Sequence, residues 1–227
     1  MFIAHYALGL AAKRPAPRTS LGTLFVAPTL ADLLWPIFLL LGWEQVHMVP
    51  TTNPFLVSWF DSYPLSHSLF TLIAWGALFG FVYKSRTGDR KAALVLGLLV
   101  VSHWVLDFVT HRPDMPLYPG GPKVGLGLWN SVVGTVIVES VMLLAGLTIY
   151  ARVTRPRDGI GHWGFWALVL LFAMSYVGAL RATSPMETGA LAIGAIIFGW
   201  VFVLLAWWVD RHREAVVPVY SGALPRR

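Results

Sequence analysis

Long runs of apolar residues, separated by short polar linkers, dominate this sequence. Five of them have the roughly 20-residue length that a helix needs to cross a hydrocarbon layer, and a sixth, Gly164–Leu180, is slightly shorter but uncharged. The segment Met1–Ala12 would form a helix of only about 18 Å, which indicates a half-length helix buried among the others. The pattern therefore predicts an all-α, polytopic transmembrane helix bundle of about six spans plus a short N-terminal half-helix. The five full-length runs are Leu21–Gly42, Ser66–Tyr83, Ala92–Thr110, Ser131–Tyr150 and Gly189–Val209.

Composition also favours a membrane protein. Of the 227 residues, 56% are hydrophobic and only 12% are charged, whereas about 25% of the residues in a soluble domain are charged. The chain has no cysteine, which excludes disulfides and thiolate metal ligands. No shift in composition divides the sequence, and we interpret residues 1–227 as a single transmembrane domain.

The basic residues are concentrated in alternate linkers. Of the 17 Lys and Arg residues, only Arg112, Lys123 and Arg181 lie outside the linkers that follow the half-helix and the second, fourth and sixth spans. This alternation is the positive-inside pattern, and it predicts a bacterial inner-membrane protein whose C-terminus is cytoplasmic. The net charge of +6 is then explained by orientation in the lipid bilayer, and no nucleic-acid partner is needed.

One ten-residue stretch, Ser102–His111, carries most of the chemistry. Its sequence SHWVLDFVTH places His103, Asp107 and His111 at i, i+4 and i+8, along one face of a helix. Ionisable groups in such an apolar run are costly in lipid and must face a partner or a cavity. Imidazole together with carboxylate suits a divalent transition metal. A polar seam between packed helices, or a proton relay, would use the same residues.

The other ionisable groups inside the apolar runs lie at similar depths. Counted from the basic flanks, His103, Asp32 and Glu139 lie at about 17–20 Å, Asp107 and His67 at about 24–25 Å, and His5 at about 12 Å. His111 falls at the outer rim. Because these groups come from five segments and share a level, the sequence predicts that they converge on one metal or catalytic centre.

These residues also resemble a known family. The family is that of the predicted membrane-bound metal-dependent hydrolases, the LexA-regulated hydrolases of the bacterial inner membrane. The resemblance covers about residues 1–130, and it implies a metal-dependent hydrolase without indicating a substrate. Family members more often have Asp-x-Asp at the first acidic position, where this chain has Ala31-Asp32-Leu33. The matching features are His5, Asp32 after a proline, Ser66-His67-Ser68, His103-x3-Asp107 and Thr110-His111.

Together, the depths and the resemblance lead to a specific hypothesis. We expect a hydrolase that uses one or two zinc or manganese ions to cleave an ester, phosphoester or amide bond of an amphiphilic, lipid-like substrate from the outer side. A bound metal would polarise the scissile group and activate water. The predicted metal ligands are His5, Asp32, His67, His103 and Asp107. The predicted catalytic residues are His111, as a ligand or acid at the rim, and Glu139, as a general base or an orienting residue. Arg112, Asp114 and Lys123 in the outer linker are predicted to contact substrate.

Two other classes could use the same cluster. A lipid phosphatase of the vanadium-haloperoxidase-like type also has His-x3-Asp, but it needs Ser-Arg five residues earlier, where Gly97 and Leu98 stand here. A secondary transporter or ion channel would place such a cluster at the midplane. The sequence has no inverted repeat, which weakens the transporter reading without excluding it.

Overall fold

Helices make up most of the structure. A computed structural model describes residues 1–181 and 187–216 of the chain. The part of the sequence that it describes contains the helices α1 (Ile3–Ala12), α2 (Leu21–Val26), α3 (Leu30–Leu40), α4 (Pro64–His67), α5 (Leu69–Thr87), α6 (Arg90–Thr110), α7 (Val132–Val153), α8 (Gly159–Arg181) and α9 (Thr188–Arg211). Three two-stranded antiparallel sheets join them: β1 (Gln45–Met48) with β2 (Ser58–Ser62), β3 (Met115–Pro116) with β4 (Lys123–Val124), and β5 (Thr154–Pro156) with β6 (Arg213–Ala215).

The predicted all-α membrane fold is confirmed. Among the described residues, four helices, α6 to α9, are long and apolar enough to cross a membrane. The half-helix is present as α1, in which every residue except Leu8 and Ala11 is buried. The count of about six spans is approximate, because the first two predicted spans are each divided into two helices.

Pro28 lies where the first predicted span is broken. Helix α2 ends at Val26 and α3 begins at Leu30. A proline inside a helix removes one N–H and clashes with the preceding turn, so the chain leaves helical geometry and returns to it. The second predicted span is broken at Ser68, whose backbone is extended and whose hydroxyl accepts the Thr71 N–H to begin α5. Two predicted site residues lie next to these breaks: Asp32 follows Pro28 by four positions, and His67 immediately precedes Ser68.

Small residues let the helices approach closely. A Cβ added at Gly146 of α7 would lie 2.9 Å from the Cα of Ala7, and one added at Gly76 of α5 would lie 2.7 Å from the carbonyl oxygen of Gly97. Such close contacts are typical of helix pairs in membranes, where packing replaces the hydrophobic effect as the driving force. The short helix α1 is therefore held firmly against α7.

The four basic linkers lie at one end of the bundle, which we call the basic end. Lys13, after α1, donates to Asp210 at the end of α9 (2.6 Å), and Thr19 contacts the hydroxyl of Tyr83 at the end of α5 (2.9 Å). The linker after α7 lies at the same end, because its strand β5 pairs with β6, which follows α9. The grouping of these linkers agrees with the predicted alternation. The side of the membrane on which they lie stays a prediction, and residues 217–227, with Arg226 and Arg227, lie outside the described residues.

The other two sheets lie together at the opposite end, which we call the hairpin end. Lys123 of β4 donates to the backbone carbonyl of Asp61 in β2 (2.8 Å), and Arg112 donates to the carbonyl of Ser58 (3.2 Å). A short 3₁₀ helix, Leu128–Asn130, precedes α7. These segments cover the end of α6 at which His111 lies.

Candidate metal centre

Helix α6 supplies the middle of the site, as its spacing predicts. His103 and Asp107 are one turn apart and buried, and Nε2 of His103 lies 3.0 Å from Oδ2 of Asp107. His111 follows the last residue of α6, and its Nε2 lies 3.8 Å from the same oxygen. One carboxylate oxygen thus faces two imidazoles from its own helix.

Two further elements bring ligand atoms to the same point. His67, at the end of α4, has its Nε2 3.7 Å from Oδ1 of Asp32 and 3.9 Å from Oδ2 of Asp107. Asp32, in the first turn of α3, lies 3.8 Å from Nε2 of His103. The breaks at Pro28 and Ser68 place both residues at helix ends, where their side chains reach this point.

His5 approaches from α1. Its ring stacks on that of His103, with centroids 4.0 Å apart, and its Nε2 lies 3.1 Å from Oδ1 of Asp107. The amino group of Met1 pairs with the same Asp107 oxygen. Six of the residues predicted to converge therefore lie around one point, and Glu139 contacts the start of α1 instead. The six are His5, Asp32, His67, His103, Asp107 and His111. That these residues bind a metal ion stays a prediction.

Each of three imidazole rings is held through its Nδ1 atom. Nδ1 of His103 lies 2.8 Å from the carbonyl oxygen of Pro28, and Nδ1 of His111 lies 2.9 Å from Oδ1 of Asp114. Nδ1 of His67 lies 2.6 Å from the hydroxyl of Ser66. A carbonyl and a carboxylate can only accept, so His103 and His111 donate from Nδ1. When these rings are neutral, their Nε2 atoms carry lone pairs.

In the neutral rings, the Nε2 lone pairs of His103 and His111 point at carboxylate oxygens, which are themselves acceptors. Nε2 of His103 is buried and has no hydrogen-bond partner among the described residues. A buried acceptor without a donor is costly, and here it faces the carboxylates of Asp32 and Asp107. A bound metal ion would satisfy such a group. Ligands about 2.0–2.1 Å from a tetrahedral zinc lie about 3.3 Å from one another, close to the separations in this cluster.

His111 and Tyr63 form the rim of the site at the hairpin end. Burial lowers the pKa of His111 below its ordinary value, which favours the neutral ring. Burial also raises the pKa of the Tyr63 phenol, which donates to Oδ1 of Asp114 at 3.0 Å. Asp114 thus accepts from both Tyr63 and His111 and fixes the orientation of the histidine.

Glu139 lies on α7, behind the first turn of α1. Its carboxylate accepts the backbone N–H of Phe2 (3.1 Å) and of Ile3 (2.8 Å). Carboxylates are stabilising at helix N-termini, where backbone N–H groups lack intrahelical partners. The structure therefore gives Glu139 the position of a helix anchor, and its role as a general base stays a prediction.

The three predicted substrate-binding residues lie near the rim. Asp114 orients His111, the guanidinium of Arg112 lies 4.0 Å from the ring centroid of Trp59, and Lys123 donates to a backbone carbonyl of β2. Within the described part of the chain, the lining of the cavity beside the cluster includes none of the three. Their contact with substrate stays a prediction.

A cavity of about 250 Å³ adjoins the cluster. Its polar end is formed by Asp32, His67, Asp107 and His111. The side chain of Asp32 is 48% exposed, whereas those of His67 and His103 are buried. The cavity therefore gives a small molecule access to one edge of the cluster.

The opposite wall of the cavity is apolar and belongs largely to α9. Ala195, Phe198, Gly199 and Phe202 line it at i, i+3, i+4 and i+7, which is one face of the helix. Phe198 is 56% exposed and lies about 15 Å along α9 from Thr188. Helix α9 is long and apolar enough to cross a membrane. The cavity thus extends from the cluster to a partly exposed apolar face of this helix.

Some contacts of the site have no local sequence signal. Glu44 accepts a hydrogen bond from the Ser66 hydroxyl (2.6 Å) across 22 positions, and the Pro28 carbonyl reaches His103 across 75. The proline after Ala27 could have indicated a break in the helix. Nothing in the spacing of Glu44 could have linked it to Ser66, because loops set that contact.

Comparison with known proteins places the chain in a family. The model of the YdjM inner membrane protein family matches residues 5–182. The chain belongs to the YdjM inner membrane protein family. No curated protein and no solved structure matches it.

The family match confirms part of the resemblance found in the sequence. It confirms an inner-membrane protein family, and it extends beyond residue 130 to include α7 and α8. All the clustered residues lie within the matched range. The family description gives no activity, so the hydrolase assignment does not follow from it.

Proposed function

We propose that the protein is a membrane-embedded metal-dependent hydrolase that cleaves an ester, phosphoester or amide bond of an amphiphilic substrate. The observation that carries the proposal is the clustering of imidazole and carboxylate atoms at one buried point. Nε2 of His67, His103 and His111 surrounds Oδ2 of Asp107 at 3.0–3.9 Å, and the Met1 amino group pairs with Oδ1 of the same carboxylate. Neutral imidazoles around a carboxylate would have lone pairs that a divalent cation can satisfy.

The donor set fits zinc or manganese. Neutral imidazole and carboxylate are ligands of both metals, and two groups of residues have ligand atoms within 4.8 Å of one another: His5, His103 and Asp107, and Asp32, His67 and His103. When bound, the metal would supply Lewis-acid polarisation of the scissile group and a nucleophilic water near neutral pH. The Nδ1 contacts of the histidines would hold the ligand geometry before binding.

The remaining walls of the cavity would select and shield the substrate. Phe60 of β2 and Trp129 of the 3₁₀ helix line it near the hairpin end and would limit access of bulk water. The α9 face from Ala195 to Phe202 would accept a hydrocarbon chain. Asp32, the most exposed of the clustered groups, would lie nearest to the reacting bond.

Metal content and turnover test this proposal together. Purified protein in lipid nanodiscs should carry transition metal at near-stoichiometric level, and His103→Ala should lose most of it. His212→Ala is the matched control, because His212 binds Asp158 at the basic end. The wild type should hydrolyse a lipid-like phosphodiester or ester probe only when metal is present. Wild-type protein that stays metal-free after supplementation would refute the metal centre.

A secondary transporter is the second candidate, and the break between α2 and α3 favours it. Discontinuous helices at a polar site are common in transporters. Metal content does not distinguish a metal transporter from a hydrolase. Flux of zinc or protons into liposomes, without turnover of any ester or phosphoester probe, would favour transport.

A further inference from the structure

A buried carboxylate, that of Glu44, is connected to His67 through one serine. Glu44 follows α3 and is 2% exposed. Its Oε2 accepts from the Ser66 hydroxyl at 2.6 Å, and its Oε1 accepts the backbone N–H groups of Leu65 and Ser66 at 2.8 and 2.9 Å. Ser66 in turn contacts Nδ1 of His67 at 2.6 Å. The three side chains form a continuous hydrogen-bonded chain.

The protons in this chain can be assigned. An ionised carboxylate only accepts, so the single hydroxyl proton of Ser66 is directed to Glu44. The Ser66 oxygen must then accept from His67, which places the ring proton on Nδ1. Nε2 of His67 is left with its lone pair, and it faces Asp32 and Asp107 at 3.7 and 3.9 Å.

We propose that Glu44 and Ser66 are positioning residues that fix His67 in its metal-binding tautomer. This inference rests on the metal centre of the proposed function. Neither residue lines the described cavity, so both act through His67. The arrangement has the role of the carboxylate–histidine contacts that orient metal ligands elsewhere, with a serine inserted between the two groups.

Glu44→Gln tests the direction of the hydrogen bonds that run from His67 through Ser66 to Glu44. The amide would keep an oxygen for the backbone N–H groups and would direct its NH₂ donor at the Ser66 oxygen. The serine proton would then turn to Nδ1 of His67, and the ring proton would move to Nε2. This substitution should therefore weaken zinc binding at least as much as Ser66→Ala, for which we expect a loss of about 10–100-fold.

Ser20→Ala is the matched control. The hydroxyl of Ser20 contacts Thr23 at the start of α2, at the basic end of the bundle. Removing this hydroxyl should lower thermal stability without changing zinc affinity. If Ser66→Ala and Ser20→Ala lower stability alike and both keep wild-type zinc affinity, Ser66 is only structural and the inference is wrong.

The tautomer can also be read without metal. In metal-free protein with ¹⁵N-labelled histidine, the His67 resonances are identified by their loss in His67→Gln. Solid-state NMR should show an Nδ1-protonated ring in the wild type and an Nε2-protonated ring in Glu44→Gln. The same tautomer in both proteins would overturn the inference, whatever the zinc titrations give. Absence of zinc binding in the wild type would instead count against the proposed function.

Discussion

The Nδ1 atom of His103 lies 2.8 Å from the carbonyl oxygen of Pro28, a residue 75 positions earlier in the chain. The contact exists because α2 ends before Pro28 and α3 begins after it, which leaves this carbonyl outside regular helix. Non-helical backbone is tolerated at membrane depth where it is buried or lines a cavity. Here it serves to orient a candidate metal ligand.

Replacing Pro28 should disturb that ligand. In Pro28→Ala, the backbone is free to form a continuous helix from α2 to α3, which would direct the carbonyl into the helix and away from His103. We expect zinc affinity, measured by titration of the metal-free protein, to fall by about 10–100-fold. Pro36→Ala is the control, since Pro36 lies inside α3. Equal zinc affinity in the two variants would show that the Pro28 contact is incidental.

The contacts of α6 could be predicted from the sequence, whereas that of Pro28 could not. The alignment of His103, Asp107 and His111 follows from helical spacing, because residues four apart share a face whatever the tertiary structure. The common depth of the other groups follows from span length and charge alternation. The hydrogen bonds from Glu44 and Pro28 depend on loop paths and helix breaks. They join distant positions through loop geometry, which no periodicity describes.

The grouping of the basic linkers leads to a prediction of topology. Because Lys13 and Thr19 contact residues at the ends of α9 and α5, one end of the bundle collects most of the positive charge, and such ends face the cytoplasm. A reporter fused after Arg90 should be active in the cytoplasm, and one inserted near Gly121 should be active outside. The reverse result would place the cavity in the inner half of the membrane and would rule out entry of substrate from the outer side.

The apolar wall of the cavity predicts selectivity for chain length. Ala195→Phe should fill the space along α9 and exclude a long hydrocarbon chain. We expect turnover of p-nitrophenyl dodecyl phosphate to fall by about tenfold or more, while turnover of p-nitrophenyl ethyl phosphate changes little. Ile197→Phe is the control, because Ile197 is 55% exposed and lies outside the lining. Equal losses on both substrates would mean that Ala195→Phe damages the site itself.

Glu139 allows the sequence interpretation and the structure to be tested against each other. A general base would cost about 10²–10⁴ in rate when replaced by glutamine, with stability little changed. In the structure, however, the carboxylate accepts the N–H groups of Phe2 and Ile3 and holds α1, which carries His5. Hydrogen bonds to a charged group contribute about 1.5–3 kcal/mol, so Glu139→Gln should lower the free energy of unfolding by an amount of that order.

We expect turnover to fall by less than the general-base range, because the amide oxygen still accepts one N–H and keeps α1 near the site. Thermal unfolding and turnover measured on the same preparation decide between the two roles: wild-type stability with a rate loss above about 10² would restore Glu139 as the base.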